Sequence, residues 1–201
     1  LQVVQPRKPY DAPNWLPSDR PVKIGELMQA KQLAVSGYNP GDITVPLNFP
    51  PDLFTWRNEG APLNLKYRYT PQEKSYNSSF IISFNDALIQ SQNLLSRDRL
   101  DSSVLRTLKS DDSLDRETNV LLPLNSVALQ SRLQLRYMFD YIKQGQCNDI
   151  IIDNMRGAID PESTLDLSGY DHFIAMPNLG VFKDSGFPFT RMADLSQTAV
   201  V

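Results

Sequence analysis

The chain has 201 residues, 41% of them hydrophobic and 21% charged, which supplies a sizeable core and excludes global disorder. Its net charge of -3 lacks the basic excess of a duplex-binding surface, so no nucleic-acid partner is expected. One cysteine, Cys147, and one histidine, His172, exclude an intrachain disulfide and a Cys/His metal cluster. No apolar run approaches the roughly 20 residues of a membrane helix.

Residues 1–20 read as an extended linker. Pro6, Pro9, Pro13 and Pro17, with Pro21 just beyond, each push the preceding residue away from helix. Tyr10 and Trp15 are the aromatics that would anchor it. Leu1 in place of a methionine, and an apolar run at Thr198–Val201, suggest a part excised from a longer protein.

Ile43–Leu47 is the first, weak strand candidate. The period-two alternation of a half-buried strand is clear from Leu63 to Tyr69, where Leu63, Leu65, Tyr67 and Tyr69 share a face. It recurs from Ser79 to Asn85 through Phe80, Ile82 and Phe84. Asn85-Asp86 then separates this run from Ala87–Ile89, and both residues tolerate the positive φ of a tight hairpin.

Residues 96–117 are charged and rich in Ser and Asp, with a short apolar set at Val104, Leu105 and Leu108. They predict a surface insertion carrying a brief helix. Val120–Leu124 and Ile150–Ile152 are weak strands, and Leu133–Phe139 is a strong one. From Tyr170 to Gly186 the pattern turns helical: Phe173, Met176, Leu179 and Phe182 recur at three-residue steps. Asp171 could cap this helix, Pro177 could divide it and Gly186 stops it. Short strands punctuated by Pro, Asn and Gly describe an all-β fold, a two-sheet sandwich or jelly roll with one short C-terminal helical segment.

Catalytic signatures are wanting. Glycoside hydrolysis needs two carboxylates facing across a cleft, and the spacing of Asp149, Asp153, Asp160, Glu162 and Asp166 sets no such separation. Asp160-Pro161 reads as a turn, with a structural calcium site as the sharper alternative. His172 has no Ser or Cys nucleophile in a local motif and reads as a packing or capping residue. Cys147 reads as a buried structural thiol. There is no Gly-rich phosphate loop, Asn77-Ser78-Ser79 is a short glycosylation-type pattern, and an enzyme is disfavoured. No cofactor or metal is expected.

The C-terminal third carries a specific likeness. Gly157 to Asp166 (GAIDPESTLD), Gly169-Tyr170-Asp171-His172-Phe173, Met176-Pro177-Asn178-Leu179, Gly186 to Arg191 (GFPFTR) and Ala193 to Val201 (ADLSQTAVV) together resemble the accessory B subunit of bacterial cellulose synthase. Asp19-Arg20-Pro21, Pro50 to Phe54 and Leu65 to Tyr69 resemble it less specifically, and the likeness skips 96–117. The resemblance implies a periplasmic protein tethered to the inner membrane by a segment outside this chain and associated with the catalytic subunit. It implies jelly rolls resembling carbohydrate-binding modules, alternating with flavodoxin-like α/β domains. Residues 21–170 would be the second jelly roll, 171–190 a helical segment and linker, and 191–201 the start of the next α/β domain. The family also carries a cyclic di-GMP-binding label and a role in biofilm cellulose. The paired arginines and Gly-containing turn of the PilZ motif are missing here, and the resemblance places the nucleotide's effect on the catalytic subunit.

Two functions follow as expectations. As a glucan-binding module, the chain would stack exposed rings on sugar faces while Asn, Gln and Arg bond the hydroxyl edges. Trp15, Trp56 and Tyr76, in loop contexts, are the candidate carbohydrate-binding residues; Tyr67, Tyr69 and Tyr137 alternate with core positions and read as structural. As a scaffold, it would pack against other domains or other copies of the accessory protein, or against the synthase, with its rings at domain seams. Scaffolding is slightly favoured, since a jelly roll alone does not imply a sugar site.

Overall fold

The computed structural model describes residues 15–56, 59–105, 107–128, 130–140 and 155–191. Two antiparallel sheets enclose one core. Sheet 1 is built around β4 (Ala61–Tyr69), which pairs along its whole length with β7 (Leu114–Leu122). The other edge of β4 is shared by β10 (Thr164–Leu165) near Leu63 and β9 (Arg156–Ile159) near Tyr67. Two short N-terminal strands close the sheet: β1 (Val22–Lys23) on β10 and β2 (Ala34–Ser36) on β9. Sheet 2 has the order β3 (Ile43–Leu47), β8 (Ser131–Met138), β5 (Ser79–Phe84), β6 (Ala87–Asn93).

Alternation explains the layering. In β4 the side chains of Ala61, Leu63, Leu65, Tyr67 and Tyr69 are buried, while those between them face outward. Sheet 2 answers with Ile43, Val45 and Leu47, with Phe80, Ile82 and Phe84, and with Leu133, Leu135 and Tyr137. Rings bridge the layers: Tyr67 stacks on Phe80 at 4.4 Å, Phe80 meets Tyr137 at 4.8 Å, and Tyr137 stacks on Phe139 at 5.9 Å. Each such fully buried side chain contributes roughly 1.5–3 kcal/mol. Burial pushes the Tyr67 hydroxyl up to about 12 and raises Tyr69 and Tyr137 as well. The Tyr137 hydroxyl donates to Ala158 O at 2.9 Å and Arg68 O at 3.2 Å, binding sheet 2 to sheet 1.

The expected all-β sandwich is therefore present, and the Asn85-Asp86 hairpin has the left-handed φ values of 49° and 66° that such a turn needs. Two expectations need correction. The insertion is shorter than 96–117, because residues from Leu114 onward form the first half of β7. Asp115 and Glu117 point outward there, in register with Arg68 and Lys66 of β4, so their charges do not break the strand. A brief helix, α2 (Ser102–Leu105), does lie within the remainder, whereas Leu124 falls in a 3-10 turn and not in a strand.

The second correction concerns 170–186: besides α1 (Ile24–Leu27), the helical pattern read across Tyr170–Gly186 is helix only in its second half, α3 (Leu179–Ser185). Its cap is Asn178, whose side chain accepts from Val181 N–H at 3.1 Å, and not Asp171. Gly186 does stop it, at φ 71°. Phe173, Met176, Leu179 and Phe182 face solvent and form an exposed apolar set. Ile150–Ile152, Cys147 and Tyr10 lie outside the described residues.

Candidate functional site

Two regions hold chemistry that the core does not use. The first is a seam at one end of the sandwich, where the loop after β3 meets the C-terminal segment. Leu53 and His172 form an isolated antiparallel bridge, with Phe54 N–H donating to Asp171 O at 2.8 Å and Phe173 N–H to Asp52 O at 2.6 Å. Side chains follow the backbone. Phe54 meets Phe173 edge-to-face at 6.1 Å and Trp56 at 6.5 Å. Trp15, half-buried, donates its indole N–H to Thr190 O at 3.0 Å, and Leu16 N–H bonds Asn48 O beside the same loop. Trp56 is 66% exposed at the lip of this seam.

A polar clasp fastens the same end. The carboxylate of Asp52 is buried, and His172 Nδ1 stands 3.0 Å from its Oδ1. On the other side of the ring, Nε2 lies 2.6 Å from the Ser18 hydroxyl oxygen. His172 is thus neither a helix cap nor a packing residue, as the sequence suggested, but the middle of a Ser18–His172–Asp52 series. In a hydrolase that order would activate the hydroxyl. Here the backbone N–H groups on either side of the Leu53–His172 bridge, at Phe54 and Phe173, are bonded to Asp171 O and Asp52 O. The series ties together three segments that are remote in sequence, and that remoteness is why no local motif announced it.

The three candidate sugar rings are not brought onto one face. Trp56 precedes β4 and Tyr76 follows it, so the nine residues of that strand, about 30 Å at its usual rise, separate their loops. Tyr76 is 61% exposed with the Arg99 guanidinium 5.1 Å above its ring. Its loop is held from beneath by buried hydroxyls: Ser78 Oγ donates to Gln72 Oε1 at 3.0 Å, and Ser96 Oγ donates to Ser75 O at 3.1 Å.

The second region is the outer face of sheet 1. The outward residues of β4, Asn64, Lys66 and Arg68, lie opposite Asn119, Glu117 and Asp115 of β7. Three hollows follow one another along this face. One of about 350 Å³ lies beside Pro62, Asn64 and Asn119, one of about 430 Å³ over Lys66, Arg68 and Glu117, and one of about 240 Å³ between Arg68 and Arg156. Asn64 Nδ2 donates to Glu117 Oε1 at 2.6 Å and to Asn119 Oδ1 at 2.8 Å, and Lys109 pairs with Asp115 at 2.8 Å on the rim. Asp160 behaves as the turn residue expected, its Oδ1 accepting from Glu162 N–H at 2.9 Å. Among the described residues no group of His, Cys, Asp and Glu could hold a metal ion, and no helix is long and apolar enough to cross a membrane.

A two-sheet sandwich with an open, polar, hollowed sheet face is the architecture of a module of the carbohydrate-binding type. The comparisons agree: the family model described as "Cellulose synthase BcsB, second CBM domain" matches residues 21–164, and that of "Cellulose synthase BcsB, second FD domain" matches 172–201. The chain belongs to the BcsB family of cellulose synthase subunits, the family its C-terminal motifs resemble. A Pseudomonas fluorescens (strain SBW25) protein named "Cyclic di-GMP-binding protein" is 61% identical over 203 residues, covering 100% of this chain and 27% of that protein. The Escherichia coli (strain K12) protein of the same name is 43% identical over 209 residues, covering 100% of this chain and 26% of that protein. "Cellulose synthase 2" of Novacetimonas hansenii is 35% identical over 203 residues, 99% of this chain and 12% of that protein. The chain thus spans about a quarter of the length of the first two relatives.

Proposed function

We propose that this chain is a non-catalytic, architectural module of a cellulose synthase complex. It supports the synthesis and export of β-1,4-glucan by fixing the orientation of neighbouring domains of the accessory protein to which it belongs. On this reading it works in the periplasm, within a protein anchored to the inner membrane elsewhere, and its partners are the catalytic subunit and other domains or copies of that accessory protein. Residues 21–170 are its sandwich, 171–190 the joint and 191–201 the entry to the following α/β domain.

One observation carries the reading. Trp15 bonds the C-terminal segment, Trp56 packs on the Phe54 ring that meets Phe173, and that segment exposes Phe173, Met176, Leu179, Phe182 and Phe189, with Leu179 at 76%. So many large apolar side chains in one short stretch exceed the scatter of an ordinary surface and call for a cover. The segment also falls within the match to the next domain, which supports the remainder of that domain as the cover. Trp15 and Trp56 are therefore assigned to the seam, and Tyr76 is left as a ring without a companion for sugar stacking.

Hydroxyl-radical footprinting tests this on the 201-residue chain and on a longer chain continued through the whole following domain. Trp56, Phe173 and Leu179 are expected to be labelled in the first and protected in the second. Equal labelling in both would refute the seam. Protection in the short chain that grows with concentration would replace it with self-association.

A further inference from the structure

We propose that the hollow between Arg68 and Arg156 binds a single phosphate-type oxyanion, either inorganic phosphate or the phosphoryl group of a monoester. The proposal rests neither on the seam nor on the architectural reading above. Register brings the two arginines together. Tyr69 and Gly157 lie opposite one another and turn inward, Gly157 against the Tyr137 ring, so Arg68 on β4 and Arg156 on β9 both point outward. They are diagonal neighbours on paired strands, about 7–8 Å apart at the backbone, where like charges repel.

The nearby carboxylates are drawn off to other partners. Asp115, opposite Arg68, pairs with Lys109 at 2.8 Å, and Asp112 pairs with Arg97 at 3.4 Å. Asp111, on the rim of the hollow, has its Oδ1 held by the Ser113 hydroxyl at 2.6 Å and the Ser113 N–H at 3.2 Å. Among the described residues, neither Arg68 nor Arg156 forms an ion pair.

The space suits one small anion. Ala34, Ser36 and Ala158 form a floor of small side chains, which leaves about 240 Å³ between the arginines and offers the Ser36 hydroxyl. Two guanidinium forks reach this space from two strands. A tetrahedral dianion presents oxygens to both and matches both charges, whereas a carboxylate satisfies one. The Asp111 carboxylate on the rim repels a second negative group, which selects a single phosphoryl group over a polyphosphate. The chain's net charge of -3 provides no long-range pull on anions, so binding depends on both forks at short range.

The test is a ¹H–¹⁵N titration of the chain with sodium phosphate at constant ionic strength, following arginine Nε–H and backbone amide signals. Saturable displacements at Arg68, Arg156, Ser36 and Ala158 are expected, with a dissociation constant on the order of 1 mM. Sulfate should reproduce them, and acetate should bind about tenfold more weakly. Arg68→Gln and Arg156→Gln should each weaken phosphate binding by about tenfold at an unchanged urea midpoint. Arg156→Lys, which keeps the charge and loses the fork, should fall between the parent and Arg156→Gln. Displacements still unsaturated at about 50 mM, or an Arg156→Gln variant that binds as the parent does, would overturn the site. Flotation with phosphatidylcholine vesicles containing phosphatidic acid, lost in Arg156→Gln, would support the site with a lipid headgroup as its ester. Saturable phosphate binding without flotation would support it with a soluble one.

Discussion

Gly157→Ala is the most sensitive probe of how the two sheets are joined. A Cβ on Gly157 would stand 2.6–2.7 Å from three carbons of the Tyr137 ring, whereas comfortable carbon contact lies near ~3.5–4.0 Å. The ring has nowhere to retreat. Phe80 and Phe139 flank it at 4.8 and 5.9 Å, and its hydroxyl is held by Ala158 O and Arg68 O. Strand β9 or the ring must therefore shift by about 1 Å, at a cost of about 1–3 kcal/mol for overpacking. Loosening the two hydroxyl bonds adds about 1 kcal/mol each at most, for an expected total near 3 kcal/mol. Urea unfolding reads this as a midpoint lowered by about 1–2 M. Tyr137→Leu in the same background removes the obstructing ring, so the double variant should lose about 2 kcal/mol less than the sum of the singles. A Gly157→Ala cost under about 0.5 kcal/mol, or additive singles, would show that the sheets do not close on this contact.

Three further outcomes follow from the same geometry. Asn85→Ala should cost about 2–3 kcal/mol, from a strained positive φ and the bonds to Arg132 N–H and Ser126 O, while Asn85→Gly should cost only about 1 kcal/mol; denaturant curves distinguish them. The buried phenols make the fold alkali-sensitive. Their folded pKa values are raised, with Tyr67 at about 12, so the unfolded chain loses protons first above its ordinary value of 10.0. Stability is full below pH 10 and falls toward pH 12, by on the order of 2 kcal/mol for Tyr67, and Tyr67→Phe should flatten that fall in urea midpoints taken across the range. His172→Ala leaves the buried Asp52 carboxylate without its imidazole partner, and amide exchange at Phe54 and Phe173 should quicken by about tenfold to a hundredfold, the equivalent of about 1–3 kcal/mol of local stability.

The long strands were legible because burial on one face writes a period of two into the residues, as in Leu63, Leu65, Tyr67 and Tyr69. The short ones were not. Strands β1, β2, β9 and β10 have two to four residues each, too few to show a period, and they exist because β4 and its neighbours supply partners. The start of β7 was hidden by Asp115, Arg116 and Glu117, whose charges suit a loop unless the opposing Lys66 and Arg68 are known. The stretch from Phe173 to Phe182 has a real apolar spacing, but only its second half is helical, because the backbone at Leu53 and His172 is bridged and Asn178 caps the helix late. At the seam, Trp15, Trp56 and His172 were each visible as notable residues, Asp52 was not singled out within Pro50 to Phe54, and only the chain path brings them to one end.

The pairing of β4 has a consequence for how the chain acquires its structure. One edge of this strand is completed only by residues 156–165, and the strands that close sheet 1, β1 and β2, pair only with that same late segment. Val22 must find Leu165, and Ala34 must find Ala158, before the N-terminal part of the sheet has any partner. Contacts so distant along the chain make closure slow and cooperative. A nascent chain that has emerged only as far as Met138 can form sheet 2 and the β4–β7 pair, yet it leaves half of its central strand with unpaired backbone. The sandwich therefore completes itself last at the segment that leads into the seam, so the joint is set only once the module is whole.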